Sequence, residues 1–110
     1  MKQYVIDELR HNDFEKTKNY FKANSKQSNI DVIYWVFLPD DILTDQQEEH
    51  VKCQPYYFAV NIEKNYLSCE LLVRSEKVMR CSCIGYATKQ QYDWIIEYLD
   101  LILLKLNISV

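Results

Sequence analysis

The residues that most restrict the fold lie between Tyr56 and Arg74, where hydrophobic alternation runs through two segments and changes parity between them. In Tyr56-Tyr57-Phe58-Ala59-Val60-Asn61-Ile62 the inward set is even-numbered, Phe58, Val60 and Ile62; from Tyr66 to Arg74 it is odd-numbered, Leu67, Cys69, Leu71 and Val73. A period of two belongs to strands with one buried face. Residues opposed in an antiparallel pair share a face, so even must meet odd. A two-residue Lys64-Asn65 turn satisfies this and pairs Ile62 with Leu67 and Val60 with Cys69. Val78 to Tyr86 reads as a third strand with Met79, Cys81 and Cys83 inward. A Ser75-Glu76-Lys77 loop then sets Leu71 opposite Cys81 and Cys69 opposite Cys83, whereas a loop from Arg74 to Glu76 sets Cys69 opposite Cys81. Both registers gather three cysteines on one face of a three-strand meander.

Thr88-Lys89-Gln90-Gln91 is a capping box, and the residues after it repeat at a helical period: Tyr92, Ile95, Ile96, Leu99, Ile102, Leu103 and Leu106. A long C-terminal helix covering the cysteine face is expected. A second line, Trp94, Tyr98, Leu101 and Leu104, widens the apolar arc beyond what one sheet face requires, so part of it should meet another element or another subunit.

The N-terminal half is less periodic. Tyr4 to Leu9 is read as a short strand. Asn12-Asp13-Phe14-Glu15 offers a cap and an acidic first turn for a helix from Asp13 to about Ala23, with Phe14, Tyr20, Phe21 and Ala23 inward. The polar run Asn24 to Asn29 reads as a loop. Ile30 to Leu38 is apolar on both faces, with Val32, Tyr34, Val36 and Leu38 on one and Ile33, Trp35 and Phe37 on the other, until Pro39 ends it. Thr44-Asp45-Gln46-Gln47 opens a short helix to about Val51, and Pro55 precedes the next strand. The whole is one α+β domain over residues 1–110: an antiparallel sheet of about four to five strands with a C-terminal three-strand meander, packed by an N-terminal helix and a long C-terminal helix.

A single glycine, Gly85, leaves no phosphate-cradling loop, and no nucleophile elbow or zinc-protease helix occurs. A net charge of −3 argues against a general affinity for nucleic-acid backbones. The longest apolar run, Trp94 to Val110, is broken by Glu97, Asp100 and Lys105, and the N-terminus lacks a signal peptide's apolar core, so a cytoplasmic chain with no membrane partner is expected. There Cys53, Cys69, Cys81 and Cys83 should be thiols or metal ligands rather than disulfides.

His50-x-x-Cys53 and Cys81-x-Cys83 supply ligands of the kind zinc takes in tetrahedral sites. On a regular strand, however, side chains two residues apart stand about 6 to 7 Å from one another, too far for thiolates sharing one ion. Cysteines packed as small hydrophobes are therefore the preferred reading, with no cofactor, and the four-residue metal set is the alternative. Cys53 is the one candidate nucleophile, but Glu48 and Glu49 beside it would raise its thiol pKa. The acids Asp40, Asp41, Asp45, Glu48 and Glu49 lack the spacing of a calcium loop.

The remaining functional surface is the outer face of the sheet with its flanks. Tyr57, Leu72 and Arg80 are expected in one row, Ala59, Glu70 and Ser82 in the next, and Glu63, Tyr66 and Tyr86 at the end. Together with Trp35, Phe37 and Trp94, the residues Tyr57, Glu70, Leu72, Arg80 and Tyr86 form the candidate interaction face, mixing aromatic and guanidinium groups of the kind enriched in binding hot spots. The expectation is a non-enzymatic protein-interaction or self-associating module, a homodimer first. A zinc- or thiol-dependent protein using His50, Cys53, Cys81 and Cys83 is the alternative, and a small acidic chaperone or adaptor a third possibility.

Overall fold

The computed structural model describes residues 2–109. Its centre is the expected hairpin: β4 (Tyr56–Ile62) and β5 (Leu67–Glu70) are antiparallel, with Ile62 opposite Leu67 and Val60 opposite Cys69. The molecule is α+β, with a seven-stranded antiparallel sheet, an N-terminal helix and a long C-terminal helix. Two of the seven strands are two-residue pieces.

β1 (Gln3–Ile6) adds to β5 at one edge with Tyr4 opposite Cys69, and β3 (Ile33–Phe37) pairs with β4 on the other side. β1 stops short of the expected Leu9 because Glu8 takes a left-handed backbone conformation, φ 60°, after which Leu9 tucks into the core. β2 (Lys26–Gln27) pairs with Trp35 and Tyr34 of β3 inside the stretch expected to be loop. Backbone pairing does not depend on side-chain polarity, so a polar sequence carried no sign of it. Lys26 also lays its ammonium 5.3 Å from the Trp35 ring centroid.

The inner face of the sheet carries Tyr34, Phe58, Val60 and Cys69, all fully buried. α1 (His11–Asn24) reaches it through Phe21, whose ring tilts against Tyr34 at 5.9 Å. α1 begins before the expected Asp13, so the reciprocal cap falls to Asp13 itself: its carboxylate accepts from the Arg10 backbone N–H at 3.1 Å and from Arg10 Nε at 3.2 Å. α3 (Lys89–Lys105) opens with the expected box, Thr88 Oγ1 accepting from the Gln91 N–H and Gln91 Oε1 from the Thr88 N–H, each at 3.1 Å. Ile95, Leu99, Ile102 and Leu103 are buried, and full burial of each such side chain contributes about 1.5–3 kcal/mol. Tyr92, expected inward, is 40% exposed, because the neighbouring Gln91 occupies the core-facing position. The helix ends where Asn107 takes φ 58°, letting the Ile108 N–H reach the Leu103 carbonyl at 2.9 Å. Among the described residues no helix is long and apolar enough to cross a membrane.

The third strand of the meander is the main departure from expectation. After Glu70 the pairing with β4 slips by two residues, so that β6 (Leu72–Ser75) sets Tyr57 opposite Arg74 and Tyr56 opposite Ser75. An even slip preserves the faces, and Val73 and Ser75 stay buried while Leu72 and Arg74 face outward. Of the expected strand from Val78 to Tyr86, only β7 (Gly85–Tyr86) forms, pairing Leu72 with Tyr86 and Val73 with Gly85. Neither cysteine register occurs. The Ser75 hydroxyl accepts the Lys77 and Val78 N–H groups at 3.0 and 3.1 Å, folding the chain into a turn where a ladder would have continued.

Candidate metal centre

Two segments distant in sequence build the site. On the first, α2 (Asp45–Glu49) is opened by the expected box at Thr44 and Gln47, Thr44 Oγ1 accepting from the Gln47 N–H at 3.1 Å. The helix stops at His50, whose N–H still reaches the Gln46 carbonyl, and tightens into a 3-10 turn, Val51–Cys53, closed by the Cys53 N–H on the His50 carbonyl at 2.9 Å. Three residues make one turn of a 3-10 helix, so His50 and Cys53 project to the same side. The second segment runs from Ser75 to Ile84. Its end is a turn, with the Ile84 N–H on the Cys81 carbonyl at 3.0 Å, that brings Cys81 and Cys83 to one point.

Side-chain bonds join the segments. Ser75 Oγ donates to the Cys53 carbonyl, Gln46 Nε2 to Ser82 Oγ at 2.8 Å, and Gln47 Nε2 to the Cys83 carbonyl at 3.3 Å. Gln47 ties this junction to the core. Its Oε1 accepts from Gln91 Nε2 at 2.9 Å, and its own carbonyl accepts from Tyr56 Oη at 3.3 Å.

The result is a compact donor set. One ligand atom from each of His50, Cys53, Cys81 and Cys83 lies within 4.8 Å of all the others, and His50 Nδ1 is 3.1 Å from Cys81 Sγ. Sulfurs bound to one tetrahedral zinc stand about 3.8 Å apart, given the usual bond length. The observed spread therefore needs a contraction of about 1 Å or less to become a coordination shell. The objection raised by strand geometry does not apply, since Cys81 and Cys83 sit on a turn and not on a strand. Three sulfurs and one imidazole form a Cys3His set, a pattern of structural zinc sites.

The electrostatics suit thiolate ligands. The backbone N–H of Cys83 and then its side chain hold the Cys81 thiol down to about 6, outweighing burial, with His50 and Cys53 adding to the effect. Burial, reinforced by the Cys83 and Cys81 sulfurs, pushes the Cys53 thiol up to about 11. A negatively charged neighbour thus discourages a second thiolate until a cation is there to balance both. Cys53 is 7% exposed and, with no cation beside it, protonated, so neither its access to an outside substrate nor its ionisation is that of a catalytic nucleophile.

Cys69, expected beside Cys81 and Cys83, is not part of the group. It lies on the inner face of β5 opposite Val60 and Tyr4, and burial, with the Glu70 charge, raises its thiol to about 12. Among the described residues the acidic stretch from Asp40 to Glu49 assembles no comparable donor group of its own.

The candidate interaction face is brought together only in part. Trp35 and Tyr57 stack at 4.2 Å on the outer face, and Phe37 meets Tyr57 edge-on at 6.2 Å. Glu70 is held by Arg74 through bonds of 2.6 and 3.3 Å, and Leu72 lies opposite Tyr86. Arg80 is exposed on the loop before Cys81, away from the row expected with Tyr57 and Leu72, because that row needed the missing third strand. Trp94 belongs to the inner side, where it stacks between Phe58 at 6.5 Å and Tyr98 at 5.3 Å. Sequence reasoning missed Gln47, Ser75 and Gln91 as supports of the centre; the two capping boxes locate both glutamines, but nothing local shows that their amides also reach inward.

The chain matches no family model. No curated protein and no solved structure matches it either.

Proposed function

We propose that this protein is a small zinc-binding module whose His50, Cys53, Cys81 and Cys83 hold one ion in a structural role. The observation that carries this reading is the convergence of four donor atoms, from two segments of separate origin, within 4.8 Å. Four protein ligands complete a tetrahedron and leave no position for an activated water, which is the pattern of a structural rather than a hydrolytic zinc. The ion would fasten the Ser75–Ile84 loop to the end of α2, two segments otherwise joined by a few side-chain bonds. A cytoplasmic location, where thiols stay reduced, suits such a site.

The test is the metal content of untagged protein purified without chelator, read by native mass spectrometry and elemental analysis. One zinc per chain is expected, falling to none in Cys81→Ser with Cys83→Ser, while Cys69→Ser keeps its metal. Metal-free protein that takes up no zinc on titration would overturn the reading.

The aromatic cluster of half-buried Trp35 and Phe37 around buried Tyr57 favours a second role alongside the first, as a non-enzymatic interaction module that self-associates through the sheet's outer face. Light scattering over a range of concentrations tests it: Trp35→Ala should reduce a dimer to monomer, and a wild-type monomer at high concentration excludes self-association.

A further inference from the structure

The zinc centre joins two segments, but its four donors are not equally sheltered. Cys53 and Cys83 are 7% and 4% exposed, whereas Cys81 is half-buried on a loop whose preceding residues, Met79 and Arg80, stand in solvent. A small oxidant reaches Cys81 first. The sulfur it would next meet is within the same 4.8 Å cluster. Of the two candidates, Cys83 is only two residues away on the turn, and a disulfide there would close a very small ring against the preferred dihedral. Cys53 comes from the other segment, its carbonyl pinned by Ser75 and its amide by His50, and a bond to it carries no such ring constraint.

Building on the zinc reading, we propose that the centre is an oxidant-triggered zinc-release switch in which a hydroperoxide converts Cys81 and Cys53 into a disulfide. The Cys81 thiolate attacks the peroxide O–O bond, forming a sulfenic acid and releasing hydroxide or alkoxide. The Cys53 thiolate then attacks the Cys81 sulfur, the S–S bond forms and hydroxide leaves. Two sulfurs lose two electrons, the peroxide gains them, and the released oxyanions take protons from water. The ion retains only His50 and Cys83 as donors and dissociates, Cys83 taking a proton. The metal tie between α2 and the loop is replaced by a covalent one, so zinc is lost while the fold stays closed. Stripping zinc with a chelator leaves the same two segments joined by their side-chain bonds alone.

The experiment treats zinc-loaded protein with graded hydrogen peroxide and follows free zinc with a chromogenic chelator, intact mass, and tryptic peptides under non-reducing conditions. One zinc per chain should be released together with a mass loss of about 2 Da relative to the reduced polypeptide. The cross-link should join peptide 53–64 to peptide 81–89. Dithiothreitol with added zinc should restore the starting state, and Cys69→Ser should behave as wild type. Retention of zinc at peroxide excess, release with only oxygen added to sulfur, or a cross-link confined to peptide 81–89 or involving Cys69 would each overturn the switch while leaving the zinc site standing. Protein that holds no zinc before peroxide is added overturns both.

Discussion

Four cysteines of one composition behave as two kinds of residue, and the difference is what surrounds each sulfur. Cys69 sits in a dry sheet face where burial holds it protonated, while Cys81 receives a backbone N–H and neighbouring polar groups. In native metal-free protein, iodoacetamide at pH 7 should label Cys81 well ahead of Cys69, read by mass of peptide 81–89 against 65–74. Equal rates would contradict the assignment. Asp13 shows the same dependence on surroundings. The Arg10 backbone N–H lowers its carboxyl below the usual carboxylate range, with the Arg10 guanidinium adding to the effect. A group lowered on folding stabilises the fold above its unfolded pKa, about 3.9, and loses that contribution as pH falls through the lower folded value. Thermal melts between pH 6 and pH 3 should therefore fall more steeply for wild type than for Asp13→Asn; parallel curves would remove Asp13 from the acid response.

At the scale of elements, local sequence patterns appear in the fold where tertiary packing agrees with them. The hairpin's parity and the boxes at Thr44 and Thr88 are short-range signals, and each appears in the structure as read. The strand assigned to Val78–Tyr86 failed because alternation in Met79, Cys81 and Cys83 is only a periodicity, and here the turn bonds of Ser75 and the bonds from Gln46 and Gln47 outcompete a ladder. That strand assignment made the metal set the alternative and not the first expectation, because it placed Cys81 and Cys83 on a strand face they do not occupy. Gln47 is the element-level joint. Gln47→Leu leaves Gln91 Nε2, the Thr44 N–H and the Cys83 carbonyl short of a partner, and should cost about 1–3 kcal/mol in urea unfolding. A midpoint within error of wild type would show that Gln47 is a bystander.

For the whole molecule, most of the core lies outside the centre. The buried cluster spans β1 to α3 through Phe21, Tyr34, Phe58, Val60 and Leu99, and takes in Cys53 and Cys83 of the centre. Zinc-free protein should keep its far-ultraviolet circular dichroism and melt cooperatively, but at lower temperature. If the site binds zinc as proposed, free zinc at about 100 times its dissociation constant should add about 2.7 kcal/mol, a rise in Tm of about 10 °C or more for a chain of this size. Calorimetry with and without chelator checks this, and coincident melts would mean that the ion does not fasten the fold.

By itself the sequence determined the two periodicities, the hairpin register, the starts of α2 and α3 and the donor types present, since each depends on residues near one another along the chain. The tertiary structure decided which donors meet. His50 and Cys53 lie about thirty residues from Cys81 and Cys83, and no local period reports a separation of that kind. Only the slipped pairing of β6 and the turns that follow it carry Cys81 and Cys83 to the end of α2, and leave Cys69 behind in the sheet.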